Sequence, residues 1–190
     1  MIVPGTVLRQ QRVVKPMAEP TGSEETDPRA EVDLAHLRRC ADLAAAAVDA
    51  GDEPFGSVLV AATGEVLAEE RNRVGAGDPT RHPEFALARW AATNLTPAER
   101  ATATVYTSGE HCPMCAAAHG WVGLGRIVYA TSSAQLAGWL AELDVAPSPV
   151  RALPIREIAP DVVVEGPEPT LAAQVRALHA RLHAARPAGG

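Results

Sequence analysis

Two short segments hold most of the residues that could do chemistry, His82-Pro83-Glu84 and Cys112-Pro113-Met114-Cys115. Each proline is favoured in the first turn of a helix, because its missing N–H would have no partner there. We therefore place both segments at helix N-termini. Two cysteines three positions apart at a helix start project from the same side, and the positive end of the helix stabilises their thiolates. Both sulfurs can then bind one metal ion.

His82, Cys112 and Cys115 together form a candidate zinc site. Zinc binds two thiolates and one imidazole in tetrahedral geometry, and a catalytic site leaves its fourth position to water. No fourth Cys or His lies nearby at the spacing of a structural site, whose shell is closed. Zinc activates water, and Glu84, two residues after the histidine, is placed to carry its proton to a substrate. The pattern predicts hydrolytic chemistry.

Segments typical of helices and strands alternate along the chain and must position these residues. Apolar spacing and end signals predict helices over 32–50, 83–94, 113–122, 133–143 and 170–184. Short apolar runs predict strands over 57–62, 66–70, 102–107, 127–130 and 162–165, the first two forming a hairpin. The alternation indicates an α/β domain with three layers and a mixed sheet.

The chain of 190 residues, 47% of them hydrophobic, is long enough for one domain with a real core. Residues 1–30 contain four prolines and an acidic cluster without an apolar period, so we predict an N-terminal arm there and the domain over 31–190. No run reaches the roughly 18 apolar residues of a membrane span, and the N-terminus lacks the layout of a secretory signal. These features predict a cytoplasmic protein without a membrane partner.

The overall charge disfavours a nucleic-acid partner. The formal net charge is -6, and Lys15 is the only lysine. Nucleic-acid affinity depends on clustered Lys and Arg that displace counterions from the phosphates. A small neutral substrate fits this chain better.

These motifs resemble the cytidine deaminase-like superfamily, whose signature is His-x-Glu followed by Pro-Cys-x-x-Cys. The likeness extends to residues 54–60, to Asn72 and to residues 107–115, which are similar to the branch of guanine, cytosine and tRNA adenosine deaminases. The resemblance implies a three-layer α/β/α fold with a central five-stranded mixed sheet, a bound Zn²⁺ and a homodimer. The domain over 31–190 would then be a zinc-dependent deaminase domain.

The resemblance also assigns roles to single residues. It implies that His82, Cys112 and Cys115 bind zinc, that Glu84 shuttles protons, and that Asn72 hydrogen-bonds to a ring carbonyl or ring nitrogen of the substrate.

The resemblance also concerns four further positions. Phe55 and Gly56 would line its wall, where an aromatic ring can stack on a planar base and a residue without a side chain lets the ligand come close. Two residues depart from the family pattern: Pro83 replaces a common alanine, and His111 replaces a proline. His111, adjacent to the zinc-binding turn, is a candidate substrate contact or a hydrogen-bonded turn residue.

The sequence therefore predicts a zinc-dependent hydrolytic deaminase of a free nucleobase or related amino-heterocycle, with a guanine-like purine or an aminotriazine as the leading substrates. Guanine is not expected to be the sole substrate, because the aspartate and the C-terminal aromatic residue that guanine deaminases of this type use have no match here. A cytosine or cytidine deaminase is the alternative, and a tRNA adenosine deaminase is disfavoured by the charge. A dithiol redox protein and a non-catalytic zinc module are rivals from other classes, and neither needs Glu84.

Other candidate residues are interpreted as structural. We expect Cys40 to be a small buried residue, and His119 to be a core or surface histidine. Three tryptophans on predicted helices are expected in the core or in a dimer contact, namely Trp90, Trp121 and Trp139. The charged side of the last helix is expected to face solvent and carries Arg176, His179, Arg181 and His183.

Overall fold

The computed structural model describes residues 27–185. The first helix, α1 (Pro28–Asp49), begins four residues before its predicted start. Asp27 caps this helix by accepting a hydrogen bond from the backbone N–H of Arg29 at 2.9 Å, and Pro28 occupies the first turn. The last three residues of the predicted arm are therefore helical, and most of that arm lies outside the described residues.

Five strands form one mixed sheet, which confirms the predicted fold class. The strands are β1 (Gly56–Val60), β2 (Val66–Arg71), β3 (Thr104–Gly109), β4 (Arg126–Thr131) and β5 (Val164–Glu165), in the order β2-β1-β3-β4-β5. Strand β1 is antiparallel to both β2 and β3, whereas the pairs β3-β4 and β4-β5 are parallel. The carboxyl ends of β2, β3 and β4 consequently meet at one edge of the sheet, together with the start of β1.

Six more helices follow α1. They are α2 (Pro83–Asn94), α3 (Pro97–Thr102), α4 (Pro113–Val122), α5 (Ser133–Glu142), α6 (Ile155–Ile158) and α7 (Pro169–Ala185). The bounds of α2 and α4 agree with the prediction. The sequence analysis missed the short helices α3 and α6 and a 3-10 turn at Val74–Ala76. Because α3 extends to Thr102, strand β3 starts two residues later than predicted.

The helices cover both faces of the sheet, because alternate strand residues point to opposite sides. On one face, residues of β1, β3 and β4 pack against α1 and α7, the members being Leu37, Cys40, Val58, Val60, Tyr106, Val128, Ala130 and Leu171. On the other face, Leu59 and Val105 pack against α2. Further along that face, Ile127 packs with residues of α4 and α6. This arrangement is the expected α/β/α sandwich.

One expectation about side-chain exposure is wrong, and one is confirmed. His179 is only 3% exposed and belongs to the buried side of α7, so the prediction that it faces solvent fails. Trp121 is 91% exposed and therefore lies outside the core of this chain. Cys40 is fully buried, as predicted. Within residues 27–185, no helix combines the length and the apolar character that crossing a bilayer requires.

Candidate metal centre

The structure brings the three predicted zinc ligands together. His82 and Cys112 are the N-cap residues of α2 and α4, and Cys115 lies in the first turn of α4. Cys112 Sγ is 3.6 Å from His82 Nδ1 and 3.5 Å from Cys115 Sγ, and Cys115 Sγ is 3.7 Å from His82 Nδ1. Tetrahedral zinc, with bonds of about 2.3 Å to sulfur and about 2.0 Å to nitrogen, separates its ligands by about 3.5–3.8 Å. The donor set and its spacing therefore fit zinc.

The three side chains polarise one another. The hydrogen bond with Cys115 and the neighbouring imidazole lower the pKa of Cys112 to about 4, against the effect of burial. The hydrogen bond between His82 and Cys112 raises the pKa of His82 to about 9. The hydrogen bond with Cys112, together with burial, raises the pKa of Cys115. Metal binding requires thiolates and a neutral imidazole, so the protein must release protons when it takes up the ion.

Glu84 is buried in the first turn of α2, directly beside this centre. The thiol of Cys115 donates to Glu84 Oε2 at 3.6 Å, and Thr107 Oγ1 donates to Glu84 Oε1 at 2.9 Å. Ser57 Oγ donates in turn to Thr107 Oγ1 at 2.9 Å. Burial raises the pKa of Glu84, opposed by the neighbouring His82. A carboxylate held in this way can accept and return a proton next to the metal.

The sequence analysis missed Thr107 and Ser57. Both hydroxyls are fully buried, Ser57 in the otherwise apolar strand β1 and Thr107 in β3. Because buried hydroxyl groups need hydrogen-bond partners, polar residues inside apolar strand segments were the available signal.

Asn72 and Phe55 lie near each other at the same edge of the sheet. Asn72 follows the last residue of β2 and is fully buried, and its backbone N–H donates to the carbonyl of Phe55 at 2.9 Å. The ring of Phe55 lies over the end of β3, since a Cβ on Gly109 would come within 2.9 Å of Phe55 Cε1. The same ring contacts His179 edge-on at 5.4 Å between centroids.

The structure gives a different reason for the glycine at position 56. A Cβ there would lie 2.4 Å from Leu43 Cβ and 2.5 Å from the carbonyl oxygen of Cys40. The missing side chain therefore makes room for helix α1, rather than for a ligand as expected.

His111 is 1% exposed, and its ring meets that of His119 edge-on at 5.5 Å. Neither ring nitrogen of His111 has a hydrogen-bond partner among the described residues, and burial lowers the pKa of His111. His119 is a core histidine with its Nε2 2.9 Å from the carbonyl oxygen of Gly125. The structure thus buries His111 next to the metal-binding turn and leaves both of its ring nitrogens without a partner among the described residues.

Glu110, which the sequence analysis did not single out, links this turn to two other helices. Its Oε2 accepts from the backbone N–H of Ser133 at 2.8 Å, and its Oε1 accepts from that of Ile155 at 3.0 Å. One carboxylate therefore binds the first residues of both α5 and α6.

The fold and the site define a class of protein, an α/β/α metal-binding domain whose ligands come from two helix N-termini. Residues 30–131 match the family described as the cytidine and deoxycytidylate deaminase zinc-binding region. The chain belongs to this family, which confirms the resemblance inferred from its motifs.

Curated relatives share this region. The chain is 35% identical over 106 residues to a probable cytosine deaminase of Schizosaccharomyces pombe, covering 56% of this chain and 64% of that protein. It is 38% identical over 96 residues to a guanine deaminase of Bacillus subtilis, covering 50% and 61%. The chain thus spans about three fifths of the length of each of these two relatives.

The fold is also found among solved structures. A guanine deaminase from Nitrosomonas europaea superposes with a TM-score of 0.56 at 19% identity, covering 87% of this chain and 100% of that one. This likeness supports the three-layer fold.

Proposed function

We propose that this protein is a zinc-dependent hydrolytic deaminase that replaces the exocyclic amino group of a small heterocycle with oxygen and releases ammonia. The observation that carries the proposal is the buried carboxylate of Glu84, 3.6 Å from the Sγ of Cys115, at a centre with three candidate protein ligands. Zinc held by these ligands would supply an activated water at neutral pH. A structural zinc site has no need of such a carboxylate.

Glu84 is proposed to move the protons of the reaction. The carboxylate would take one proton from the attacking water and deliver it to the ring nitrogen beside the amino-bearing carbon. It would then take the second proton of that water and pass it to the departing amino group. Thr107 holds Oε1, which leaves Oε2 on the side of the metal ligand Cys115. The raised pKa of Glu84 suits a group that must be protonated and deprotonated in each cycle.

We propose a free nucleobase or a related amino-heterocycle as the substrate, with a guanine-like purine or an aminotriazine first and cytosine or cytidine as the alternative. The relatives include a guanine deaminase, a probable cytosine deaminase and a tRNA-specific adenosine deaminase of Haemophilus influenzae, the last 32% identical over 105 residues, with 55% of this chain and 61% of that protein covered. The net charge of -6 and the single lysine favour a small substrate over tRNA. Asn72, Phe55 and His111 are the proposed substrate contacts.

We also propose a cytoplasmic homodimer. Cysteines that serve as metal ligands suit a reducing compartment, where they are not lost to disulfides. The exposed indole of Trp121 on α4 is the large apolar side chain that a second copy would cover.

The test is ammonia release by zinc-loaded protein supplied with guanine, adenine, cytosine, cytidine, isocytosine and aminotriazines. We expect activity on one or a few rings, and a loss of at least about a hundredfold in Glu84→Gln with zinc still bound. Glu65→Gln, which changes an exposed carboxylate in the β1-β2 turn, serves as the matched control and should be fully active. Silence on every ring by the zinc-loaded protein would refute the free-base proposal.

A further inference from the structure

Asn72 is fully buried, and all but one of its polar groups have a protein partner. Its backbone N–H donates to Phe55, its backbone carbonyl accepts from Arg71 Nη1 at 2.9 Å, and its Oδ1 accepts from the backbone N–H of Val74 at 3.0 Å. Its Nδ2 has no acceptor among the described residues. Since a buried donor without an acceptor is costly, this amide is suited to donate to a bound molecule.

Asp52 fixes the backbone on both sides of this asparagine. The carboxylate is 6% exposed, and its Oδ2 accepts from Arg71 Nη1 at 2.5 Å. That nitrogen is the one that also donates to the carbonyl of Asn72. The second oxygen of Asp52, Oδ1, accepts from the backbone N–H of Gly75 at 2.8 Å. One carboxylate thus binds the side chain that precedes Asn72 and the 3-10 turn that follows it.

This frame, formed by the hydrogen bonds of Asp52 to Arg71 and Gly75, lies next to the metal centre. Arg73 donates its backbone N–H to the carbonyl of Arg81 at 3.1 Å, so the loop that contains Gly75 closes one residue before the ligand His82. Strand β2 also ends at the same sheet edge as β3, and Gly56 of β1 donates its backbone N–H to Ser108 Oγ at 3.1 Å there. The position of Asn72 relative to the metal ligands therefore depends on how this loop is held.

We propose that Asp52 is a positioning residue that acts through Arg71 and Gly75 to hold Asn72 so that only Nδ2 is left to donate to the substrate. The complementary substrate group is an acceptor, a ring nitrogen or a ring carbonyl oxygen. This inference rests on the proposed function, because it assigns a task to Asn72 in that reaction. Asp52 itself needs no contact with the substrate or the metal.

The side-chain amide of Asn72 can be observed without any activity measurement. Asn72 and Asn94 are the only asparagines of the chain, so labelling with ¹⁵N-asparagine gives two side-chain NH₂ groups in an NMR spectrum. Asn94 is exposed and donates its Nδ2 to the carbonyl of Trp90 at 2.7 Å, which makes it an internal reference. In Asp52→Asn, we expect the NH₂ protons of Asn72 to exchange with water at least about tenfold faster, because the frame loosens, and those of Asn94 to be unchanged.

A matched control removes a comparably buried ion pair outside this loop. Asp33 Oδ2 and Arg126 Nη2 are 2.5 Å apart, and their side chains are 14% and 12% exposed. Asp33→Asn should leave the exchange of Asn72 unchanged. Arg71→Lys removes the guanidinium that donates to both Asp52 and Asn72, and it should reproduce the effect of Asp52→Asn. If Asp52→Asn does not fold, the exchange of Asn72 in Arg71→Lys tests the proposal instead.

Kinetics give the functional readout. On whichever ring is deaminated, Asp52→Asn should raise KM by about tenfold and change kcat by less than about threefold, because the amide hydrogen bond is made already in the ground state. Unchanged exchange of Asn72 in a folded variant, or a loss of bound zinc that accounts for the kinetic effect, would overturn the proposal. If the wild-type protein deaminates no ring, the proposed function fails, while the exchange measurement still decides whether Asp52 positions Asn72.

Discussion

The surroundings of Glu84 shift the pKa of its carboxyl group in opposite directions. Burial favours the neutral carboxyl group, whereas the imidazole of His82 and the hydroxyl of Thr107 favour the carboxylate. The hydroxyl also fixes one oxygen in place, at 2.9 Å. Residues that do not touch a substrate can therefore control how readily this carboxylate carries a proton.

The substitution Thr107→Val tests this control. Valine keeps the shape of threonine and removes the donor to Glu84, so we expect kcat for deamination to fall about tenfold with zinc retained. Thr104→Val, at the start of the same strand, is the control and should keep full activity. A Thr107→Val enzyme with the kcat of the wild type would show that the hydrogen bond has no part in the reaction.

Local spacing made the metal ligands and Glu84 predictable. His82 and Glu84 are two positions apart, and Cys112 and Cys115 are three apart at a helix start, so secondary structure alone brings each pair together. Ser57 and Thr107 are 50 positions apart and meet only because β1 and β3 pair in that register. Sequence reasoning had no access to this register, and it therefore missed the hydroxyl chain.

At the scale of elements, the packing of α1 on β1 depends on one position. At Gly56 the backbone of α1 lies close to the strand, with the carbonyl of Cys40 2.5 Å from the place of a Cβ. A backbone atom cannot move aside as the end of a flexible side chain can. The glycine at position 56 therefore allows α1 to pack this close to β1.

Gly56→Ala should consequently destabilise the protein by roughly 1–3 kcal/mol, the usual cost of overpacking a core. The free energy of unfolding in urea, measured on zinc-loaded protein, gives this value. Gly138→Ala is a contrasting control on α5, because a Cβ there meets nothing within 4 Å, and it should stabilise the protein by up to about 1 kcal/mol. Equal stability of Gly56→Ala and the wild type would contradict the packing argument.

Helix bounds were predictable where strong end signals exist, as for α2 and α4, which both begin at a proline. Helix α3 has a capping box formed by Thr96 and Glu99, yet its six residues are too few for an apolar period to be recognised. The buried side of α7 was misjudged because His179 was counted with the charged residues. A neutral imidazole packs among aromatic rings, here those of Phe55 and Trp139.

For the whole molecule, this buried imidazole predicts a loss of stability in acid. Burial, with a smaller contribution from His183, lowers the pKa of His179 to about 4, whereas an unfolded chain has a histidine pKa of about 6.5. The unfolded state therefore binds the proton more tightly. The stabilisation is complete above pH ~6.5 and is lost as the pH falls toward 4, amounting to roughly 3 kcal/mol.

His179→Phe should remove this part of the pH dependence. The free energy of unfolding of the variant, measured between pH 7 and pH 4, should fall less steeply than that of the wild type. Release of zinc in acid affects both proteins alike, so the difference between the two slopes isolates His179. Identical slopes would show that the histidine is not buried in its neutral form.

The proposed homodimer makes a prediction about Trp121. We expect wild-type protein to have about twice the monomer mass of 19.9 kDa in light scattering, and Trp121→Ser to shift the population toward monomer. Val150→Ser is the control, since Val150 is 54% exposed and lies outside the helices. A monomeric wild-type protein would refute the dimer and leave the exposed indole without this explanation.

The carboxylate of Glu110 has a consequence for how this chain can vary. Because it binds the first residues of both α5 and α6, the segment between them, residues 134–154, begins and ends at one carboxylate. Most residues from 141 to 152 are exposed. These exposed residues can thus differ in length or sequence while the metal-binding turn stays in place.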